Sequence, residues 1–292
     1  MASPLFVLRI GLGMIMCLQF IHLFPDLMGL LSKNGIVKQD IANVQLAVNL
    51  ISSDKIVNLL MVHFKMDEIA SLHLLGSIYI GCLLFFVAGL FTRTSAILCW
   101  LLHLAFVNSG FLFTYGVDYF ITMLLFYCII FPVGREFSLD KLLFKYKPVN
   151  HTPYIRALQI HLCIVYLVSG VSKAAGINWW NGVSVYKAVN RPNVAAFFLH
   201  VPHMVYVVSG IATVVIEVLY VFFINYNKTK KLWLYLTCSM HLGIALFLQL
   251  PYFAAIMMLL NMVAFYYPAQ LSIRPKAKFH YSSFVKITPV VE

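Results

Sequence analysis

The sequence predicts an all-α membrane protein: a polytopic helical bundle of about eight transmembrane helices, with short interfacial helices on the outward side. Three observations carry that prediction. Of the 292 residues 62% are hydrophobic and 11% charged, whereas a soluble domain carries roughly 45–50% apolar and about 25% charged residues. The apolar residues are gathered into eight runs separated by short polar stretches. The 21 Lys and Arg outnumber the 10 Asp and Glu, an excess that in membrane proteins collects in loops on one side of the bilayer. This balance excludes a cytosolic enzyme, a disordered chain and a nucleic-acid binder.

A helix needs about 20 mostly apolar residues to cross a hydrocarbon core of about 30 Å. The runs that meet or approach this are Pro4 to Phe24, Ser71 to Phe91, Ser95 to Phe113, Tyr115 to Val133, Tyr154 to Ala174, Val201 to Ile224, Leu232 to Leu250 and Tyr252 to Tyr267. The first has no small-residue cleavage site behind it and is expected to be a retained span. With alternating spans and an inside N-terminus, thirteen cations fall in cytoplasmic loops and six on the opposite side. Both termini are therefore expected in the cytoplasm of a cell inner membrane. Residues 1–268 form one membrane domain in this reading, and residues 269–292 a short basic cytoplasmic tail. Pro25 to Ala70 is too polar to span, but apolar residues at three- and four-residue steps in Ile41 to His63 suit helices on the outer face, and a similar external piece is expected at Trp179 to His200. The six cysteines all lie inside apolar runs without metal or redox spacing, as small buried hydrophobes do.

Charged and strongly polar groups at membrane depth are costly, so each calls for a reason. They include Arg9, His103, Asn108, Asp118, Gln159, His161, Lys173, Glu217, His241 and Asn261. Seventeen residues separate Arg156 from Lys173, which places the amine roughly 25 Å along its helix, near the outer boundary. Ser169-Gly170-Val171-Ser172 lets a neighbouring helix approach there. Two readings stay open: a desolvated lysine available as a neutral base, or one that snorkels to the headgroups. Asn108 and Asp118 are expected in the same outer layer. Glu217 and His241 are expected in the inner half, hydrogen-bonded to one another, with Arg9 as an alternative partner for Glu217. Arg9, Glu217 and Gln159 read as structural polar groups. No His-x-x-x-His or Glu-x-x-His pair lies within a span, so no metal is expected; His200 and His203 flank one helix start.

Tyr154 to Lys173, ending Ser169-Gly170-Val171-Ser172-Lys173 and followed by Asn178-Trp179-Trp180-Asn181-Gly182, resembles the horizontally transferred transmembrane (HTTM) family, which includes the membrane part of vitamin K-dependent gamma-carboxylase. Leu8-Arg9-Ile10-Gly11, Phe24-Pro25-Asp26, Gly89-Leu90-Phe91-Thr92-Arg93, Phe131-Pro132-Val133-Gly134 with Ser138-Leu139-Asp140, and Tyr266-Tyr267-Pro268 look like further family marks in the family's order. The resemblance implies that Lys173 is a base toward a vitamin K-like quinol, with Asn108, Asp118, Trp179, Gly182 and His241 binding substrate or supporting the base. It also implies an outward-facing pocket around Lys173. Two departures matter: no large lumenal domain follows the spans, and the polar stretch near Asn108 is Val107-Asn108-Ser109-Gly110. Glutamate carboxylation therefore does not follow from the resemblance, and a carboxylase-like membrane enzyme stays an open reading. The chain looks like the stand-alone bacterial members associated with maturation of sporulation-delaying-protein type toxins, which implies a secreted peptide or small partner protein besides the lipid bilayer. The alternative is a non-enzymatic membrane partner that binds or presents a client peptide or lipid.

Overall fold

The computed structural model describes residues 3–36, 39, 50–110, 113–190 and 201–267. These residues form helices joined by short turns, with no strand among them. Each of the eight apolar runs is helical: α1 (Pro4–Leu23), α4 (Glu68–Ala88), α5 (Thr92–Ser109), α6 (Gly116–Ile130), α8 (Thr152–Ala174), α11 (His203–Phe223), α12 (Lys230–Phe247) and α13 (Pro251–Asn261), the last continuing into a π-helical turn, Met262–Tyr266. Short helices connect them: α2 (Leu27–Leu31), α3 (Ser53–Phe64), α7 (Leu139–Leu143), α9 (Ile177–Trp180) and α10 (Val183–Val189).

Local chemistry sets the ends. Ser3 accepts the Phe6 N–H at 3.2 Å and Pro4 opens α1, both favoured at a helix start. Asp67 accepts the Ala70 N–H at 3.2 Å at the start of α4, and Gly89 closes that helix. Asp140 caps α5 from a distant part of the chain. It accepts the N–H groups of Phe91 and Thr92 at 2.6 and 2.8 Å and the Thr92 hydroxyl at 2.6 Å. Leu8, Leu12 and Met16 of α1 and Met257 and Leu260 of α13 are buried in one core, because α1 touches α4, α6 and α13 while α13 also touches α8 and α12.

Four helical stretches are long and apolar enough to cross a membrane: Pro4–Leu31, α4, α8 and α11. The apolar helices α6 and α13 with its π turn are shorter. At 1.5 Å per residue the 15 residues of α6 reach about 22 Å, less than the apolar core of a bilayer. Large apolar side chains such as Ile160, Ile164 and Val168 of α8 and Phe222 of α11 are nevertheless exposed. Helices apolar on both their inner and outer faces belong in lipid, and the chain is a membrane protein on that ground.

The expected outer-face segments are described only in part. α3 occupies the second half of Ile41 to His63, and α9 and α10 occupy the first part of Trp179 to His200. Residues 40–49 and 191–200, His200 with them, and the expected tail 269–292 lie outside the described residues.

Candidate functional site

The α8–α11 contact is built from small residues and one polar face. Tyr166, Ser169, Gly170 and Lys173 recur at helical spacing along α8 and share one side. Gly170 is required there: a Cβ would stand 2.7 Å from the Val218 nitrogen and 3.0 Å from the Glu217 carbonyl carbon. This close approach carries Glu217 to Lys173. Lys173 Nζ donates to Glu217 Oε2 at 2.6 Å and to Ser169 Oγ at 2.5 Å, and stands 5.3 Å from the centre of the Trp179 ring. The carboxylate side chain is 8% exposed and the lysine 21%. An ammonium carries three N–H donors; with two committed, the third is left toward the open side.

This pairing corrects the expectation for Glu217, whose partner is neither His241 nor Arg9. Helix α11 extends past the end of α8, and its first turns pack on α9 and α10 instead. A Cβ on Gly210 would stand 2.2 Å from the Trp179 carbonyl oxygen, and one on Gly182, the turn between α9 and α10, 2.5 Å from the Val207 nitrogen. A residue fourteen positions into α11 therefore meets the last turn of α8 rather than a deeper level of the bundle. Trp180 Nε1 donates to the Ala174 carbonyl at 2.7 Å, capping the end of α8.

One turn below lies a buried hydrogen-bond chain. Tyr220 OH donates to Asn261 Oδ1 at 2.7 Å, which orients the amide. Asn261 Nδ2 then donates to the Met257 carbonyl at 2.9 Å and to the Tyr166 oxygen at 2.8 Å. Tyr166 in turn donates to His241 Nε2 at 2.7 Å. The two tyrosine rings stack with centroids 4.0 Å apart. His241 Nδ1, buried, has no partner among the described residues. This chain joins α8, α11, α12 and α13 and sits on the same face of α8 as Lys173.

The other expected site residues lie elsewhere. Asn108 donates to the Ile51 carbonyl at 2.7 Å and anchors the segment before α3. Asp118 accepts Gln19 Nε2 at 3.1 Å and the Tyr115 N–H at 3.0 Å. Neither joins Lys173. Gln159 donates to the Ala264 carbonyl at 2.7 Å. Arg9, fully buried, donates to the carbonyls of Val133 at 3.1 Å and Phe137 at 2.5 Å. Among the described residues, Lys173 lines neither the cavity of about 300 Å³ nor that of about 290 Å³. No group of three or more His, Cys, Asp or Glu able to hold a metal occurs among the described residues. Ser169, Tyr166 and Tyr220 belong to the site although composition does not single them out. The seven-residue step from Tyr166 to Lys173 and the three-residue step from Glu217 to Tyr220 are the signals that carry them.

Compared with protein-family models, curated proteins and solved structures, the chain finds no match. Segments far apart in the sequence meet in space: Arg9 reaches the carbonyls of Val133 and Phe137, and Asp140 binds Phe91 and Thr92.

Proposed function

We propose that the chain is a bacterial inner-membrane protein of HTTM type, with eight spans and both termini in the cytoplasm. It assists the modification or maturation of a secreted peptide, and Lys173 with Glu217 forms its proton-handling centre toward a bound quinol. The observation that carries this reading is the 2.6 Å contact between Lys173 Nζ and Glu217 Oε2 beside the Trp179 ring. The residues fit a quinol-like group: a spare ammonium N–H suits a ring oxygen, and an indole face suits a flat ring. Such a group, when bound, supplies an acidic hydroxyl. Glu217 can take one proton from Lys173 across their hydrogen bond, which leaves a neutral amine able to accept a proton. Ser169 holds Nζ in place while the charge changes.

The test is whether a small secreted precursor is encoded beside this chain and whether its maturation survives Lys173→Ala or Lys173→Arg. Arginine keeps the ion pair but remains charged, so both variants should lower maturation by at least about a hundredfold with membrane insertion intact. Normal maturation in Lys173→Ala removes Lys173 from the mechanism. A quinone recovered by lipid extraction and mass spectrometry of the purified protein supports the ligand class.

A second, non-enzymatic reading is favoured by the cavities, neither of which Lys173 lines. In it the bundle binds and presents a client peptide or lipid, and the ion pair is a clamp. Lys173→Arg then keeps full function, and substitutions across residues 34–63 cost more than Lys173→Ala.

A further inference from the structure

The larger cavity, about 300 Å³, lies between the ends of α1, α5 and α6 and is closed on one side by Tyr252. Its volume is at the lower end of small-molecule sites, about 300–1,000 Å³. In a chain with 21 Lys and Arg against 10 Asp and Glu, this cavity is lined, among the described residues, by two acids, Asp26 and Asp118, and by no Lys or Arg. Asp118 is 8% exposed and Asp26 stands exposed. Neither carboxylate forms an ion pair among the described residues, whose two pairs are His151–Glu136 and Lys173–Glu217.

The carboxylate of Asp118 is oriented but not filled. Gln19 takes one oxygen and the Tyr115 N–H the other, while an ionised carboxylate offers about four lone-pair sites. Phe20, Tyr79, Phe106 and Phe113 supply aromatic walls, and Phe20, Tyr79 and Phe106 pack against one another with centroids 4.7 to 5.5 Å apart. The two histidines facing the space are engaged. His103 Nε2 donates to the Asp118 carbonyl and Nδ1 pairs with Tyr79 OH, both at 3.2 Å. His22 Nδ1 pairs with Tyr252 OH.

Carboxylates repel an anion, and a neutral apolar guest would bury Asp118 without a charge partner. A cation with apolar substituents satisfies both features, since aromatic faces attract such cations and carboxylates pair with them. We infer that this cavity, separate from the Lys173 site, binds an alkylammonium group, with Asp118 as its inner charge partner and Asp26 at the mouth.

Titration calorimetry of the full chain in a neutral detergent tests this with choline, with its uncharged carbon isostere 3,3-dimethylbutan-1-ol, and with butylammonium. One alkylammonium probe should bind at least about tenfold more tightly than the isostere, and Asp118→Asn should weaken it about tenfold or more. At this third helical position asparagine keeps an oxygen able to accept the Tyr115 N–H, so helical circular dichroism should be unchanged. Asp26→Asn, at an exposed position, provides a second variant and should weaken binding about threefold, as a more solvated charge does. A stronger response to choline identifies a quaternary headgroup as the source, and a stronger response to butylammonium a primary amine. Equal binding of the isostere, unchanged affinity in both aspartate variants, or no binding of either cation overturns the proposal.

Discussion

Arg9 and Lys173 are both cations enclosed by apolar helices, and they differ in the partners they keep. Arg9 is fully buried and held by the carbonyl oxygens of Val133 and Phe137, with the Phe6 ring 5.6 Å away. Carbonyl oxygens do not take up protons, so the arginine staples α1 to the turn after α6. Lys173 keeps a carboxylate, which exchanges protons, and retains partial exposure at a helix end. Burial alone therefore does not tell the two cations apart; the chemistry of their partners does.

The largest test of this contrast is at the staple. Arg9→Leu should lower stability by about 3–5 kcal/mol, because two charge-assisted bonds vanish and the buried Val133 carbonyl and part-buried Phe137 carbonyl lose their donors. Thermal unfolding in detergent measures it, and a loss below about 1 kcal/mol would show the guanidinium to be dispensable. Next comes the ion pair. Lys173→Met and Glu217→Gln should each cost about 2–4 kcal/mol, and the double variant should recover most of that loss, since a lone buried charge costs more than none. Additive losses would mean the two side chains are energetically independent.

The close approach of α8 and α11 gives a smaller effect. Gly170→Ala should cost about 1–3 kcal/mol through overpacking, and should shift the Trp179 fluorescence as Glu217 is pushed from Lys173. A variant with native stability and spectrum would show that the helices have room to spare. The smallest effect lies outside the spans, at Glu136, 2.9 Å from His151 Nε2. Partial burial pushes the Glu136 carboxyl up, but hydrogen bonds from Ser3 and His151 and the charges of His151 and Lys141 outweigh it and hold the pKa below its usual 4.5. A carboxylate with a depressed folded pKa stabilises at pH above its unfolded value and loses that contribution as pH falls through the folded one. Wild type should thus exceed Glu136→Gln by less than about 1 kcal/mol above pH 4.5, and the difference should close on further acidification. A difference that persists at low pH would assign the effect to packing.

Much of the architecture was legible before any coordinates. The eight apolar runs are the eight long helices, and the small residues Ser169 and Gly170 do admit α11. Four stretches carry the length and apolarity of a span, while α5 and α12, eighteen residues each, are more polar. The site was less legible. Lys173, Glu217, His241 and Asn261 stood out as polar groups in apolar runs, but pairing Glu217 with His241 assumed that α11 begins at the level where α8 ends. Asn108 and Asp118 looked like neighbours of Lys173 because all three lie near helix ends, yet several helices separate their surroundings.

Hydropathy, helix ends and the candidate polar residues are properties of short stretches of chain, since the cost of exposing apolar surface and of leaving an N–H unpaired is incurred locally. Which carboxylate meets which amine depends instead on the offset between helices distant in sequence. That offset was decided by α9 and α10 taking the first turns of α11 and by a glycine that lets two backbones touch.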